Sequence, residues 1–246
     1  MRTLFEVVAE DDDLLVINKP AGLVCHPTKG DEYSSLISRV RLYLGPDSAP
    51  HMINRLDRET SGLVILGKQH EPAVYLRKLW ESREVEKEYL AIVHGHLPRG
   101  KTIIRAPLGK DPASAVSIKD TVVENGTAAE TLVFLQQHFF HEGRPLSLAR
   151  ILLLTGRKHQ IRIHLAHAGH PIVGDKLYGG DEGIYLRFVQ EQITAEDWRH
   201  LITANHALHA KRITLYWFGA RRTFTCPPEA WFNQLAHSSV QQTGLG

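Results

Sequence analysis

The sequence predicts an α+β fold, a mainly antiparallel sheet flanked by helices, and three observations carry that prediction. Apolar runs with strand character follow one another more often than they alternate with helical segments, which favours an antiparallel sheet over a doubly wound parallel one. Neither usual glycine-rich phosphate loop, the mark of a parallel nucleotide-binding sheet, is present. The 246 residues are 43% hydrophobic and 23% charged, which supplies a substantial core and excludes disorder, collagen and coiled coil.

Taken in order, Leu14 to Cys25 reads as a strand, a turn at Lys19 to Gly22 and a second extended piece, because Pro20 and Gly22 punctuate two apolar runs. Gly62 and Gly67 bracket a short buried strand. Glu71 to Arg83 places Val74, Tyr75, Leu79 and Trp80 among charges at helical spacing, and Glu88 to His94 returns to strand. Further strands are expected over Thr102–Arg105, Ala115–Ile118, Thr131–Leu135 and Leu146–Thr155. After Gly156, Ile161, His164, Leu165 and Ala168 take the helical period, and Gly169 ahead of Pro171 stops the helix. Leu208 to Phe218 is again strand, and a last helix starts near Pro228 and includes Trp231, Phe232 and Leu235. With no repeat, linker or break in composition, residues 1–237 are expected to form a single domain and residues 238–246 a flexible tail.

The longest apolar runs, such as Ile151 to Leu154, fall far short of the roughly 20 residues that span a bilayer. The N-terminus turns acidic at Glu10 to Asp13, where a secretory signal would be apolar. A cytoplasmic protein with no membrane partner is therefore expected. Cys25 and Cys226, far apart in sequence, make no disulfide framework and read as two reduced, buried thiols. The net charge is only +2, yet between Arg144 and Lys176 six cations face Asp175 alone, a local excess of five that reads as a basic stripe.

Two constellations carry chemistry. In Asn54-Arg-Leu-Asp-Arg-Glu-Thr-Ser-Gly, two arginines, two acids and two hydroxyls precede a buried strand. Two accounts fit: Asp57 caps a turn while Thr60 and Ser61 bond local backbone, or Asp57 is a nucleophile or base, held by a cation on a rigid sheet. The second runs from Thr155 to Asp175. Its histidines, His159, His164, His167 and His170, invite a metal reading, but no cysteine assists and the surrounding cations would repel the ion. A cationic helix start suits phosphate better.

Together with Glu86-Lys-Glu-Tyr-Leu-Ala and the run Gly156-Arg-Lys-His-Gln-Ile-Arg-Ile-His-Leu-Ala-His-Ala-Gly-His-Pro-Ile-Val-Gly-Asp, the Asp57 motif resembles those of the RluA-type RNA pseudouridine synthases, over about Leu14 to Phe218. The resemblance implies the pseudouridine-synthase fold, a bent, mainly antiparallel sheet with a catalytic cleft. It also implies isomerisation of a uridine to pseudouridine in structured ribosomal or transfer RNA, by base flipping and without a cofactor. Asp57 then matches the aspartate that acts at the ribose, whether by attack on the anomeric carbon or by helping to remove a ribose proton. Tyr89 matches the tyrosine against the uracil, Arg162 the arginine paired with the aspartate, and Arg55 the side chain that fills the gap left by the flipped nucleotide. Arg58, Thr60, Arg157, Lys158, His159 and Gln160 are expected on the RNA, and Ile163 in the apolar wall around the base. The family usually has histidine where this chain has Asn54, which implies altered loop hydrogen bonding rather than lost activity. This chain's first strands lie close to its start, so an accessory RNA-binding domain ahead of them is not expected, and a monomer is expected. An inactive RNA-binding or RNA-folding protein, motivated by Asn54, is the alternative.

Overall fold

The structure, a computed structural model, describes residues 5–27 and 35–237. In chain order the elements are β1 (Glu6–Glu10), β2 (Leu14–Lys19), α1 (Leu36–Leu44), β3 (His51–Met52), β4 (Ser61–Gly67), α2 (His70–Glu81), β5 (Glu86–His94), β6 (Lys101–Arg105), β7 (Leu108–Lys110), β8 (Asp120–Val122), β9 (Glu130–His141), β10 (Arg144–Leu153), α3 (Gln160–His167), α4 (Gly183–Val189), α5 (Ala195–Leu201), β11 (Leu208–Trp217), β12 (Ala220–Thr225) and α6 (Ala230–Ala236). The α+β expectation holds, with antiparallel pairing nearly throughout. No helix among the described residues is long and apolar enough to cross a membrane. The tail expected at residues 238–246 lies outside the described residues.

The chain forms two compact units, Met1–Tyr89 with His209–Pro228, and Leu90–Leu208 with Glu229–Gly246. In the first, β2 pairs antiparallel with both β1 and β4, and β3 extends the ladder onto β4. Strand β4 is buried along its whole length, and the side chains of β2 and β4 alternate between two cores. Leu15, Ile17, Val64 and Leu66 pack with Leu36 and Val40 of α1, whereas Leu14, Val16, Leu63 and Ile65 pack with Leu76 and Leu79 of α2. Strand β11 joins β4 in parallel at His209 and Ala210, and only glycine fits opposite. A Cβ on Gly62 would lie 2.3 Å from the Ala210 carbonyl oxygen, at a φ of +112°.

In the second unit β9 and β10 form a long hairpin whose turn, Glu142 and Gly143, has positive φ at both positions, the type I′ pattern that matches strand twist. Strand β6 lies along β9, β7 and β8 form a separate small hairpin, and α3 packs near β8 and β9.

Two expected strands are not strands. The carbonyls of Val24 and Cys25 accept the first amides of α1, Leu36 and Ile37, so Leu23–Cys25 caps a helix instead of joining a ladder. Over Ala115–Ile118 the Ala115 amide bonds the Glu182 carboxylate and the Val116 amide bonds Ser114 Oγ, which turns the backbone away from sheet.

Candidate active site

The Asp57 loop runs between β3 and β4 in the first unit and is held at almost every residue. The Ile53 amide donates to the Ile65 carbonyl. Asn54 then continues the ladder with its side chain, its Nδ2 donating to the Leu63 carbonyl (3.0 Å) and its Oδ1 accepting from the Ile65 amide (2.9 Å). A side-chain amide thus stands in for a peptide unit. Leu56 is gripped by Cys25, whose thiol donates to the Leu56 carbonyl at 3.3 Å. Burial pushes that thiol above its usual pKa, and the nearby Asp57 charge adds to the rise, so it stays a protonated donor. The Arg58 carbonyl receives the amide of Gly22 (2.9 Å) and Nζ of Lys19 (3.1 Å). Lys19 is fully buried and also donates to the carbonyls of Pro20 and Leu23. Thr60, likewise buried, closes the loop by donating its amide to the Asp57 carbonyl.

Tyr89 packs against the core formed by β2, β4 and α1. Burial pushes its phenol far above the ordinary value, and the Asp57 carboxylate pushes in the same direction. The first unit therefore holds Tyr89 and, through Leu56, the Asp57 loop against one core. Arg55 and Arg58 flank them on exposed positions.

The second unit carries the other expected residues at the start of α3. Gln160 is 2% exposed; its Oε1 accepts from Thr155 Oγ1 and the Arg157 amide, and its Nε2 donates to the Glu130 carbonyl and Thr131 Oγ1. It fastens the helix start to β9 and offers no free group outward. His164 continues this network, accepting from Thr131 Oγ1 at Nδ1 and donating from Nε2 to the Ala106 carbonyl. Ile163 packs with Leu108, Val116, Leu177 and Tyr178, so its role in this structure is core packing. Arg157 and Lys158 are exposed, Lys158 bonded to Asp120 at 2.8 Å and to the Ile118 carbonyl.

Arg162 is buried and meets Asp175 with two parallel bonds, Nε to Oδ2 at 2.7 Å and Nη2 to Oδ1 at 2.9 Å. Burial opposes ionisation of Asp175, but Arg162, His206 and the Tyr178 amide outweigh it and hold the carboxyl well below the usual range. Lys176 is buried too, with Nζ on the Ala204 carbonyl and 4.7 Å from the centre of the Phe188 ring. The basic stripe expected between Arg144 and Lys176 is therefore corrected: two of its six cations are interior, and Arg162 is neutralised by the one acid the charge count set against it. Asp175, Lys19 and Tyr178 are the residues that sequence reasoning passed over. Asp175 had a signal, as the lone acid in a cationic stretch.

Comparison with known proteins places these features in context. The family described as RNA pseudouridylate synthase matches residues 13–167, which include the Asp57 loop, Tyr89 and Arg162. The ribosomal large subunit pseudouridine synthase D of Pseudomonas aeruginosa is 39% identical over 179 residues, 71% of this chain and 53% of that protein. Its counterpart in Salmonella typhimurium is 36% identical over 178 residues, 71% and 52% of the two chains. The chain spans about half the length of these relatives. Among solved structures, human RNA pseudouridylate synthase domain containing 1 superposes with a TM-score of 0.74 at 23% identity, covering 93% of this chain and 86% of that one. Human RNA pseudouridylate synthase domain containing 4 gives 0.69 at 23% identity, covering 94% and 92%. The fold is shared with both.

Proposed function

The chain belongs to the RNA pseudouridylate synthase family, and from that premise we propose that it isomerises a uridine of structured RNA to pseudouridine. Ribosomal RNA is favoured over transfer RNA by the names of its relatives. The bond from uracil N1 to ribose C1′ breaks, the uracil turns, C5 bonds to C1′, the C5 proton leaves to water and N1 regains a proton. Asp57 acts at the ribose as a carboxylate, Tyr89 lies against the flipped uracil, and Arg55 fills the gap left in the RNA. Arg162 keeps the family's assignment as the arginine that serves the aspartate. Arg58, Arg157, Lys158 and His159 meet the RNA, while Thr60, Gln160 and Ile163 hold the loops that present them. The protein acts as a monomeric, cofactor-free catalytic domain in the cytosol.

The observation that carries this reading is that Leu56 of the Asp57 loop lies in the core against which Tyr89 packs, with the loop fastened on both sides by Asn54 and Lys19. A flat, neutral ring beside a carboxylate suits a base whose ribose is under attack. The test is release of tritium from ribosomal RNA labelled at uracil C5, in the presence of chelator. Asp57→Asn is expected to abolish release and leave RNA affinity nearly intact, because affinity comes mainly from phosphate contacts. Residual release above about one per cent of wild type would overturn the assignment, since losing an essential nucleophile costs several powers of ten.

A further inference from the structure

Tyr178 stands where the buried arginine and the start of α3 meet. Its ring lies 4.9 Å from the Arg162 guanidinium carbon, and its amide donates to Asp175 Oδ1, the oxygen that Arg162 Nη2 also reaches. Its hydroxyl serves a different neighbourhood: it accepts from the Asp120 amide at 3.3 Å and lies 2.9 Å from His159 Nδ1. Asp120 is in turn the carboxylate that holds Lys158. Burial keeps the phenol protonated, so it can donate to Nδ1 while accepting from the Asp120 amide.

The backbone gives this contact its weight. His159 sits in the left-handed region, at φ +54°, immediately before α3. That conformation is uncommon outside glycine, though histidine adopts it more readily than most residues. In that conformation the His159 ring is set edge-on against Tyr178 with centroids 5.6 Å apart and is hydrogen-bonded to the hydroxyl. Arg157 and Lys158 directly precede His159, their amide and ammonium held by Gln160 Oε1 and Asp120, and the His159–Tyr178 contact is a further tie on this loop.

We propose that Tyr178 is a positioning residue with two separable jobs: its ring seats Arg162 for the chemical step, and its hydroxyl sets the Arg157–His159 loop for binding RNA. The proposal rests on the pseudouridine synthase reading and goes beyond it by assigning one side chain to both catalysis and affinity. It also makes the two jobs divisible by mutation. Tyr178→Phe keeps the ring and removes the hydroxyl. Tyr178→Leu removes both.

The experiment compares these variants with His159→Ala and with the His159→Ala/Tyr178→Phe double variant, by filter binding to ribosomal RNA and by single-turnover tritium release at saturating RNA. Tyr178→Phe is expected to weaken binding about five- to tenfold, the worth of a neutral hydrogen bond and its orphaned partner, with the saturated rate within about twofold of wild type. The double variant should bind no worse than His159→Ala, since both changes remove one link. Tyr178→Leu should in addition slow the saturated rate about tenfold or more, because a displaced catalytic group costs rate steeply. A fall in the saturated rate of Tyr178→Phe, or wild-type affinity in that variant, overturns the proposal even if Tyr178→Leu does not fold. If wild-type protein releases no tritium the function reading fails by itself, and the binding arm still decides the hydroxyl's role.

Discussion

Arg162 and Asp175 meet through two parallel hydrogen bonds inside the second unit, with the carboxylate 1% exposed. The acid arrives from beyond the helix, on a turn that only glycine can make. A Cβ on Gly174 would lie 2.3 Å from Thr203 Oγ1, at a φ of +80°. The guanidinium that the family motif assigns to chemistry is therefore seated before RNA arrives, in one orientation, with Tyr178 against its face. Such a seat lowers the cost of ordering a long side chain in the transition state.

Breaking this pair from one side should be expensive. Asp175→Asn replaces the buried carboxylate that Arg162 meets with two parallel bonds by a neutral amide, and the expected loss is about 3–5 kcal/mol. Joint replacement by Arg162→Met and Asp175→Asn should recover part of that stability while abolishing turnover, because the side-chain oxygen of the new amide can still accept the Leu177 and Tyr178 amides. Urea unfolding of the three proteins at neutral pH measures the difference; a double variant as unstable as the single one would mean that the pair stabilises the fold outright.

Asn54 predicts a different outcome, because its amide holds a loop and not a charge. Asn54→Ala removes both bonds to β4 and leaves the Leu63 carbonyl and Ile65 amide unpaired, at about 1–3 kcal/mol. Since Asp57 lies three residues on, single-turnover rates should fall about tenfold or more while RNA affinity changes little. An Asn54→Ala protein with the wild-type rate would show that Lys19 and Cys25 suffice to fix the aspartate.

The contrast between these two residues shows what the sequence reveals. Strands β2 and β4 are legible because they are buried on both faces and read as continuous apolar runs, and α2 and α3 because their apolar positions keep the helical period. Strands β1 and β12 were missed, as their charged residues hide the pattern: Arg221 and Arg222 sit in β12, Glu6 and Glu10 at the ends of β1. Helices α4 and α5, seven residues each, are too short to establish a period. At the candidate site, Asp57, Tyr89 and Arg162 are singled out by their motifs alone. The pairing of Arg162 with Asp175 depends on a turn geometry that no local spacing encodes, so the local charge count mistook an interior ion pair for surface charge.

That correction sharpens the expected salt dependence of RNA binding. Arg157 and Lys158 are the exposed cations at the start of α3, and neutralising both with glutamine should flatten the slope of log K against log salt by about 0.7–0.9 for each phosphate that no longer meets a cation. Lys158→Gln should cost more affinity than Arg157→Gln, because it also uncovers the Asp120 carboxylate that Lys158 holds at 2.8 Å. Arg162→Met, being interior, should leave the slope unchanged and depress the chemical step. Should it flatten the slope as strongly as the surface pair while single-turnover chemistry stays normal, the catalytic assignment would move away from α3.

The last prediction concerns pH and the core of the first unit. His209 is fully buried; its Nε2 donates to the Cys226 carbonyl at 3.1 Å, so its Nδ1 accepts from Ser61 Oγ at 2.9 Å. Burial lowers its pKa to about 4, the Lys211 charge adds to the fall, and the bond to Cys226 only partly opposes it. The unfolded chain protonates near the ordinary value of about 6.5. Above that pH the ring is neutral in both states and its contribution to stability is complete. As pH falls from about 6.5 toward 4 the unfolded state takes up a proton that the folded state refuses, so stability declines by up to about 1.4 kcal/mol per pH unit from this group. Urea unfolding of wild type between pH 7.5 and 5 should follow that decline, and His209→Gln, though less stable throughout, should lose about one proton from the pH slope. Parallel pH profiles for the two proteins would show that the imidazole accepts its proton inside the fold, and would break the assignment of Ser61 as its hydrogen-bond donor.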